Sequence, residues 1–586
     1  MPHRSSTMIL KSTRKYAKYF YIVLGTLLIA LGGFFLIYSR PLLERFIDSQ
    51  MILRPGGELT KMWATPDVNV SVDFYFFNWT NSEEFYDMSK KPKVNEVGPF
   101  SYIEVPYKKV FKWHDNNHTV DYGKTHYYHL NTTRSKLGLN DTLVSINALL
   151  AGAAAKSRHW PYLMRTVIDM ALKFYKNGAV WTRTADEFFF RGFNDDIVNL
   201  LAVLPASLRY NLGVFMPWDR IGYAYARNGS TDYLGVHSIH TGVGDKSQLG
   251  QMVQWKGKNY TDAFASGCNG VHGSPGEFQR TNLKKYESIE YYFTDFCRPV
   301  TADYDSEVYY KGVWAYRYKI SPSAFDNGTM YPENKCYCDG ECLPYGVFNI
   351  SNCYYGIPIL ISKPHFMDAD PFYADQVEGI APNRTAHETY LILEPRTGLM
   401  MHLTGRLQLN IYIRPTTHIR SFPTKRNFAF PVVWFDMTME ISDYGASLLR
   451  HVKNFPMYCD IMGIVLVLLG LIVALWQPCR DHWNKRYVRH MEINALPSDE
   501  DAKVIPGDLD AKDISSTKDL FGLRSNFSSL MYITHPRRSL PIVISHLDGD
   551  DEAWRSCLSE EQRASSEGTS SSSSSEECDT SLDMDS

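Results

Sequence analysis

YFYIVLGTLLIALGGFFLIY, Tyr19–Tyr38, is a run of twenty residues without a charge, and its reading decides the fold. As an α-helix rising about 1.5 Å per residue it spans roughly 30 Å, the hydrocarbon thickness of a bilayer. No water is available there to satisfy backbone groups, so a helix is the conformation to expect. Arg4, Lys11, Arg14, Lys15 and Lys18 precede the run, which also fits a signal peptide. Signal cores, however, run about 7–15 residues and end at a small-residue cleavage site. This run is longer, and Tyr-Ser-Arg-Pro follows it at Tyr38–Pro41. The length argues for a retained membrane anchor.

A second apolar run, Ile461–Trp476, has sixteen uncharged residues and alone fits either a short span or a buried core helix. Counted from Met457 it reaches twenty, with Asp460 inside. Arg480, Lys485, Arg486 and Arg489 follow closely. Both runs therefore carry basic residues on the side away from the middle of the chain, which places both termini in the cytosol. The expected layout is a cytosolic start (1–18), a first span (19–38), an extracellular or lumenal body (39–459), a second span (460–478) and a cytosolic tail (479–586).

Two independent features support that layout. The middle segment carries ten Asn-x-Ser/Thr sequons, at Asn69, Asn78, Asn117, Asn131, Asn140, Asn228, Asn259, Asn327, Asn349 and Asn383, against one in the tail, at Asn526. That density reads as a glycosylated surface in the secretory pathway. Six of the ten cysteines fall between Cys268 and Cys353: Cys268, Cys297, Cys336, Cys338, Cys342 and Cys353. An even, clustered set in an oxidising compartment reads as disulfides. Zinc is the rival, but no paired His–Cys spacing completes a usual zinc pattern, so no metal is expected.

With 586 residues and 44% hydrophobic content the chain can bury a large core, and the net charge of −3 averages over compartments and says little. Val72, Phe74 and Phe76 alternate in VSVDFYFFNWT, as do Leu407, Leu409, Ile411 and Ile413 in RLQLNIYIRP, with Gln408, Asn410 and Tyr412 opposite. Short strands punctuated by Gly, Pro and Asn recur through 220–440, so the body reads as α+β and mainly antiparallel sheet. Between about 141 and 215 the period becomes helical, with Leu163, Val167, Ala171 and Phe174 on one face. The segment from Ala151 to Ala185 is basic, carrying a net +5. The tail ends in EGTSSSSSSEECDTSLDMDS, with twelve acidic residues and two Arg after Ser545. Such a composition cannot bury enough surface to offset ordering entropy and reads as disordered. Cys479, at the membrane face, fits palmitoylation and a free cytosolic thiol equally well.

No HExxH, Walker loop, GxSxG or dinucleotide fingerprint occurs, and His387-Glu388 lacks the second histidine of a zinc protease. Nothing in these patterns marks an enzyme, a cofactor or a nucleic-acid partner. A hairpin of this layout also fits a ligand-gated channel, but both spans are greasy nearly all round, without the polar or small pore-facing positions a channel needs.

Several strings resemble the class B scavenger receptor family, in the family's order: NEVGPFSY (Asn95–Tyr102), TGVGDKSQLGQMVQWKG (Thr241–Gly257), CNGVHGSPGEF (Cys268–Phe278), YFTDFCRPV (Tyr292–Val300), CYCDGEC (Cys336–Cys342), SKPHFMDADP (Ser362–Pro371) and EPRTGLMMHLTGRLQLNIYIRP (Glu394–Pro415). The resemblance covers about 15–480. It implies a β-barrel-like body crossed by a hydrophobic tunnel, with a helical bundle at the membrane-distal apex. It also implies lipid or lipoprotein ligands (fatty acid, cholesterol, phospholipid, oxidised lipid), or in the lysosomal member a protein bound at the apex. Carried over residue by residue, it suggests the pairs Cys268–Cys336, Cys297–Cys353 and Cys338–Cys342. The apex corresponds to about Leu150–Leu204, where Lys156, Arg158, Lys173 and Lys176 are the candidate ligand-binding cations and His159 stands near a pH-sensing position of the lysosomal member. An ordinary solvated helix face is the other reading of the same charges. The long acidic tail departs from the family and leaves room for cytosolic partners. With no clear sorting signal in it, plasma membrane is the expected location and the lysosome or endosome the alternative.

Overall fold

The computed structural model describes residues 3–494 other than 88, 137, 174–177, 208, 210–216, 278, 339, 417–418, 421, 423 and 425, with side chains described over 16–491. The tail, like Lys176, lies outside the described residues.

Two long helices hold the ends, α1 (His3–Gln50) and α8 (Asp443–Asn494). Each continues well past the apolar run that prompted it, because the edge of an apolar stretch is not a helix stop signal. They pack antiparallel. A Cβ on Gly25 would lie 2.6 Å from the Ala474 Cβ, and one on Gly32 would lie 2.6 Å from the Gly463 carbonyl. Glycines seven apart on both helices thus let the backbones touch, the packing that substitutes for a hydrophobic drive within lipid. Asp460, the one acid within the second apolar run, meets Arg40 of the first helix at 3.1 Å.

Among the described residues, between the helices lie α2 (Glu58–Ala64), α3 (Ala148–Ser157), α4 (Tyr162–Lys173), α5 (Asp196–Val203), α6 (Pro371–Asp375), α7 (Arg384–His387) and fifteen strands. The strands are β1 (Val68–Trp79), β2 (Val94–His114), β3 (Thr119–Leu130), β4 (Thr142–Ile146), β5 (Val180–Thr184), β6 (His237–His240), β7 (Met252–Trp255), β8 (Ile289–Phe293), β9 (Arg298–Tyr310), β10 (Val313–Ile320), β11 (Val347–Asn349), β12 (Ile359–Ser362), β13 (Tyr390–Leu393), β14 (Met400–Ile413) and β15 (Phe428–Ile441). Thirteen of them form one antiparallel sheet, ordered β7-β6-β3-β2-β1-β15-β14-β13-β10-β9-β8, with β12 on β14 and β11 on β12. Its two edges nearly close. The Met252 amide donates to the Gly273 carbonyl, while Ser274 exchanges hydrogen bonds with Glu290 and Tyr292, so 273–274 stitches β7 to β8. Closure removes the unpaired edges that an open sheet would expose.

β1 fixes the long axis. Its first residue, Val68, pairs with Ile441 just before α8, and its last, Trp79, packs with Ile146, Leu149 and Leu150. Helices α3–α5 therefore sit at the end of the body away from the membrane helices. The 141–215 stretch differs from its helical reading in one respect: β4 and β5 form a two-stranded ribbon within it. Thr, Val, Leu and Trp in TLVSI and VWTRT favour a pleated conformation over five residues, too short for a helical period to show.

The outer face of β14 also departs from its alternation. Gln408 and Asn410 are fully buried rather than solvent-facing. Gln408 accepts the His365 amide and donates to Asn410, which donates to the Ser362 hydroxyl and the Leu360 carbonyl. The 343–373 segment lies over this face, so the polar side chains satisfy one another beneath a second layer.

Candidate functional site

The strand alternation that builds the sheet also hollows it. Leu403, Gly405, Leu407, Leu409 and Ile411 of β14 point inward, as do Phe435, Met437 and Met439 of β15 and Phe74 and Phe76 of β1. They line one cavity of about 1030 Å³, at the upper limit of ordinary ligand pockets. At the far end Leu149, Trp181, Phe188 and Ile350 bound it; at the membrane end Leu59, Met62, Trp63, Tyr444 and Leu448 do. Gly405 sits midway along β14, where an added Cβ would meet its nearest neighbour at 3.7 Å, an ordinary contact.

The wall is mainly apolar, with charged side chains along β2 and β3 and on the loops that carry Arg227, Glu277 and Asp295. Glu104, Pro106 and Lys108 face inward on β2, opposite Tyr128, His126 and Lys124 on β3. Glu104 pairs with His126 at 2.5 Å and Lys124 with Glu277 at 2.8 Å; Arg227 pairs with Asp295. Burial pushes the Lys108 ammonium down to about 8, and its Nζ donates to the Trp63 carbonyl at 3.0 Å. Sequence reading passed these residues over, because the apolar phase of β2 looks like the core face. Ile103, Val105 and Phe111 instead point outward and are exposed.

The six clustered cysteines are joined as Cys268–Cys336, Cys297–Cys353 and Cys338–Cys342. Among the described residues no group of three or more His, Cys, Asp or Glu is arranged to hold a metal. Cys459 is buried and unpaired, and Cys479 is exposed. Of the sequon asparagines, Asn69, Asn117, Asn140, Asn228, Asn259 and Asn383 are exposed, and Asn78, Asn131, Asn327 and Asn349 are half-buried. The Asn327 amide is already spent on the Leu343 carbonyl. At the far end Lys156, Arg158, His159 and Lys173 are exposed on α3, α4 and the turn between them, beside exposed Tyr162, Leu163, Val167 and Met170.

A second histidine site was invisible in sequence. The His365 and His387 rings stack at 4.6 Å. His365 Nδ1 accepts the Ala381 amide, so its Nε2 carries the proton donated to Glu96 at 2.6 Å; the Trp434 indole donates to the same carboxylate oxygen. Burial would raise the Glu96 carboxyl, but these donors hold it below its usual range. His387 Nδ1 accepts the Asn383 amide, and burial, helped by the stacked His365 ring, pushes His387 down to about 4. Unfolded chains take up that proton near pH 6.5, so folding stability from this site is complete above about 6.5 and falls as pH drops toward 4. His387→Gln, which keeps an acceptor, should flatten the loss of melting temperature between pH 6.5 and 4.5; an unchanged slope would refute the assignment.

Two membrane helices bracketing a hollow antiparallel body define the class, a two-pass membrane protein with a large, mainly apolar cavity. The chain belongs to the CD36 family, whose family model matches residues 23–480. Similar proteins include Protein peste of Drosophila melanogaster, 32% identical over 470 residues that cover 80% of this chain and 83% of that one. Lysosome membrane protein 2 of Homo sapiens is 29% identical over 443 residues, 75% of this chain and 89% of that one. Scavenger receptor class B member 1 of Bos taurus is 26% identical over 462 residues, 77% and 88% of the two chains. The family and these relatives make it a membrane receptor.

Proposed function

We propose that this receptor binds lipids, alone or from lipoproteins, and passes them through the body toward the outer leaflet. The observation that carries the reading is the cavity of about 1030 Å³ that reaches from beneath the far helices to α2 and the start of α8. Burying an acyl chain gains about 0.8 kcal/mol per methylene, so an apolar path removes the main barrier to moving lipid across water. No bond is made or broken. In this reading both termini are cytosolic, the exposed sequons carry glycans, Cys479 is acylated at the membrane face, and the tail meets cytosolic partners. The plasma membrane is the working location. The name of Lysosome membrane protein 2 keeps a lysosomal or endosomal one open.

Extraction of the full chain from cells into detergent-free particles, followed by mass spectrometry of bound lipid, tests the reading. Lipid should co-purify in stoichiometric amount, and its absence would sink the proposal. A second reading, recognition of a protein or particle through the far helices, is favoured by the exposed apolar and basic side chains of α4. Reversing Lys156 and Lys173 to Glu should weaken capture of anionic particles without changing co-purified lipid. If reversal leaves capture intact, the apex is an ordinary solvated face.

A further inference from the structure

The polar strip on β2 and β3 interrupts a cavity lined mainly by aliphatic and aromatic side chains. Lys108 and Lys124 are direct cross-strand partners, and both face inward. Like charges placed opposite each other destabilise a strand pair. Lys108 is 6% exposed. Its Nζ reaches the Trp63 carbonyl on α2, and among the described residues it forms no ion pair. Lys124 is paired: its Nζ lies 2.8 Å from Glu277 and 2.7 Å from the Pro275 carbonyl. The other Glu277 oxygen is 3.5 Å from the Tyr122 hydroxyl. The Glu277 carboxylate thus pairs with Lys124 and leaves Lys108 without an ionic contact among the described residues. Of the other charges that line the cavity, Glu104 pairs with His126, Arg227 with Asp295 and Glu58 with Lys61, while Asp67 accepts from the Ser442 hydroxyl and Arg220 lies over the Tyr225 ring.

Folding supplies no reason for this excess. A buried ammonium without a counter-charge costs several kcal/mol, and an apolar side chain of similar length would fill the space more stably. The strand is also turned against its own apolar pattern. Ile103, Val105 and Phe111 remain exposed so that Glu104 and Lys108 can face the cavity.

We infer that Lys108, Lys124 and Glu277 form a head-group subsite that takes the anionic end of a lipid, a carboxylate or a phosphate, while its chain runs along the apolar cavity. The inference rests on the lipid-binding reading above and names the ligand class for it. An incoming anion accepts hydrogen bonds from the Lys108 ammonium and turns two cations against one anion into two against two. Aliphatic lining residues, such as Leu403 and Leu407, receive the chain. Burial holds Lys108 at about 8, as expected of an ammonium lacking a counter-ion.

The test uses the full chain in phosphatidylcholine nanodiscs and displacement of an uncharged fluorescent acyl probe. Four competitors are compared: oleate, methyl oleate, oleoyl lysophosphatidic acid and oleoyl lysophosphatidylcholine. At least one anion should bind about tenfold more tightly than its uncharged or zwitterionic counterpart, and which anion does so separates a fatty-acid source from a phosphate source. Lys108→Met should weaken binding of the preferred anion about tenfold relative to its uncharged or zwitterionic counterpart, and Lys108→Arg should retain the preference. Equal binding of charged and uncharged ligands by the native protein overturns the subsite, as does a preference that survives in Lys108→Met. Loss of methyl oleate binding in Lys108→Met would mark a merely structural lysine and overturn it too. If no lipid displaces the probe from the native protein, lipid binding itself fails, a result distinct from the others.

Discussion

Gly405→Trp should cut transfer of labelled lipid from donor particles into the membrane by on the order of tenfold, with little change in folding. Gly405 lies in the middle of β14, between Leu403 and Leu407, and lines the cavity. A Cβ on Gly405 would have as its nearest neighbours the Met437 carbonyl at 3.7 Å, the Met437 Cβ at 3.9 Å and Leu403 Cδ1 at 4.0 Å, all ordinary contacts. A side chain added here therefore clashes with no backbone and must extend into the lumen. A strand interior accepts an aromatic residue more readily than glycine. The melting temperature should consequently stay within about 4 °C of the native value, the shift that about 1 kcal/mol produces in a chain of this size or smaller. Capture of particles at α4 should be unaffected, because that surface lies at the far end of the body. If Gly405→Trp transfers lipid at the native rate, the cavity is not the path.

The second large effect is expected in the membrane. Gly32→Leu should separate α1 from α8, lowering surface arrival severalfold and the melting temperature in nanodiscs. The Cβ position at Gly32 lies 2.6 Å from the Gly463 carbonyl, 2.8 Å from Val467 Cγ2 and 3.0 Å from the Val467 amide. Two of these three are backbone atoms that cannot rotate aside, so the helices must move apart. Overpacking of this kind costs about 1–3 kcal/mol, and here it also removes the close contact on which pairing within lipid depends. The control stands one residue on: nothing lies within 4 Å of the Cβ position at Gly33. Gly33→Leu faces outward and should behave as native. Equal behaviour of the two variants would show that the glycine seam does not hold the helices together.

These two glycines illustrate how far the sequence could be read. Both Gly405 and Gly32 stand in stretches whose type was legible, one in an alternating strand and one in a charge-free run. Neither revealed its neighbour. Gly32 and Gly33 are indistinguishable in a sequence, yet one touches Gly463 and the other touches nothing, because helix rotation is set by the partner helix. The same limit hid the cavity wall. Alternation in β2 was present, but alternation gives two faces without saying which is inside, and here Ile103, Val105 and Phe111 are the exposed ones. In β14 both faces are buried, since a second layer covers Gln408 and Asn410.

Charge-free length, flanking cations, sequons and ordered family strings determined by themselves that this is a two-span family member with a largely β body, because those properties are local or additive along the chain. Closure of the sheet into a hollow body, the inward turn of Lys108 and Lys124, the stacked His365 and His387, and the seam of Gly25, Gly32, Gly463 and Gly470 were decided only in three dimensions. Each depends on residues tens to hundreds of positions apart meeting in one register. That register is chosen by the packing of the whole body, and no local pattern encodes it.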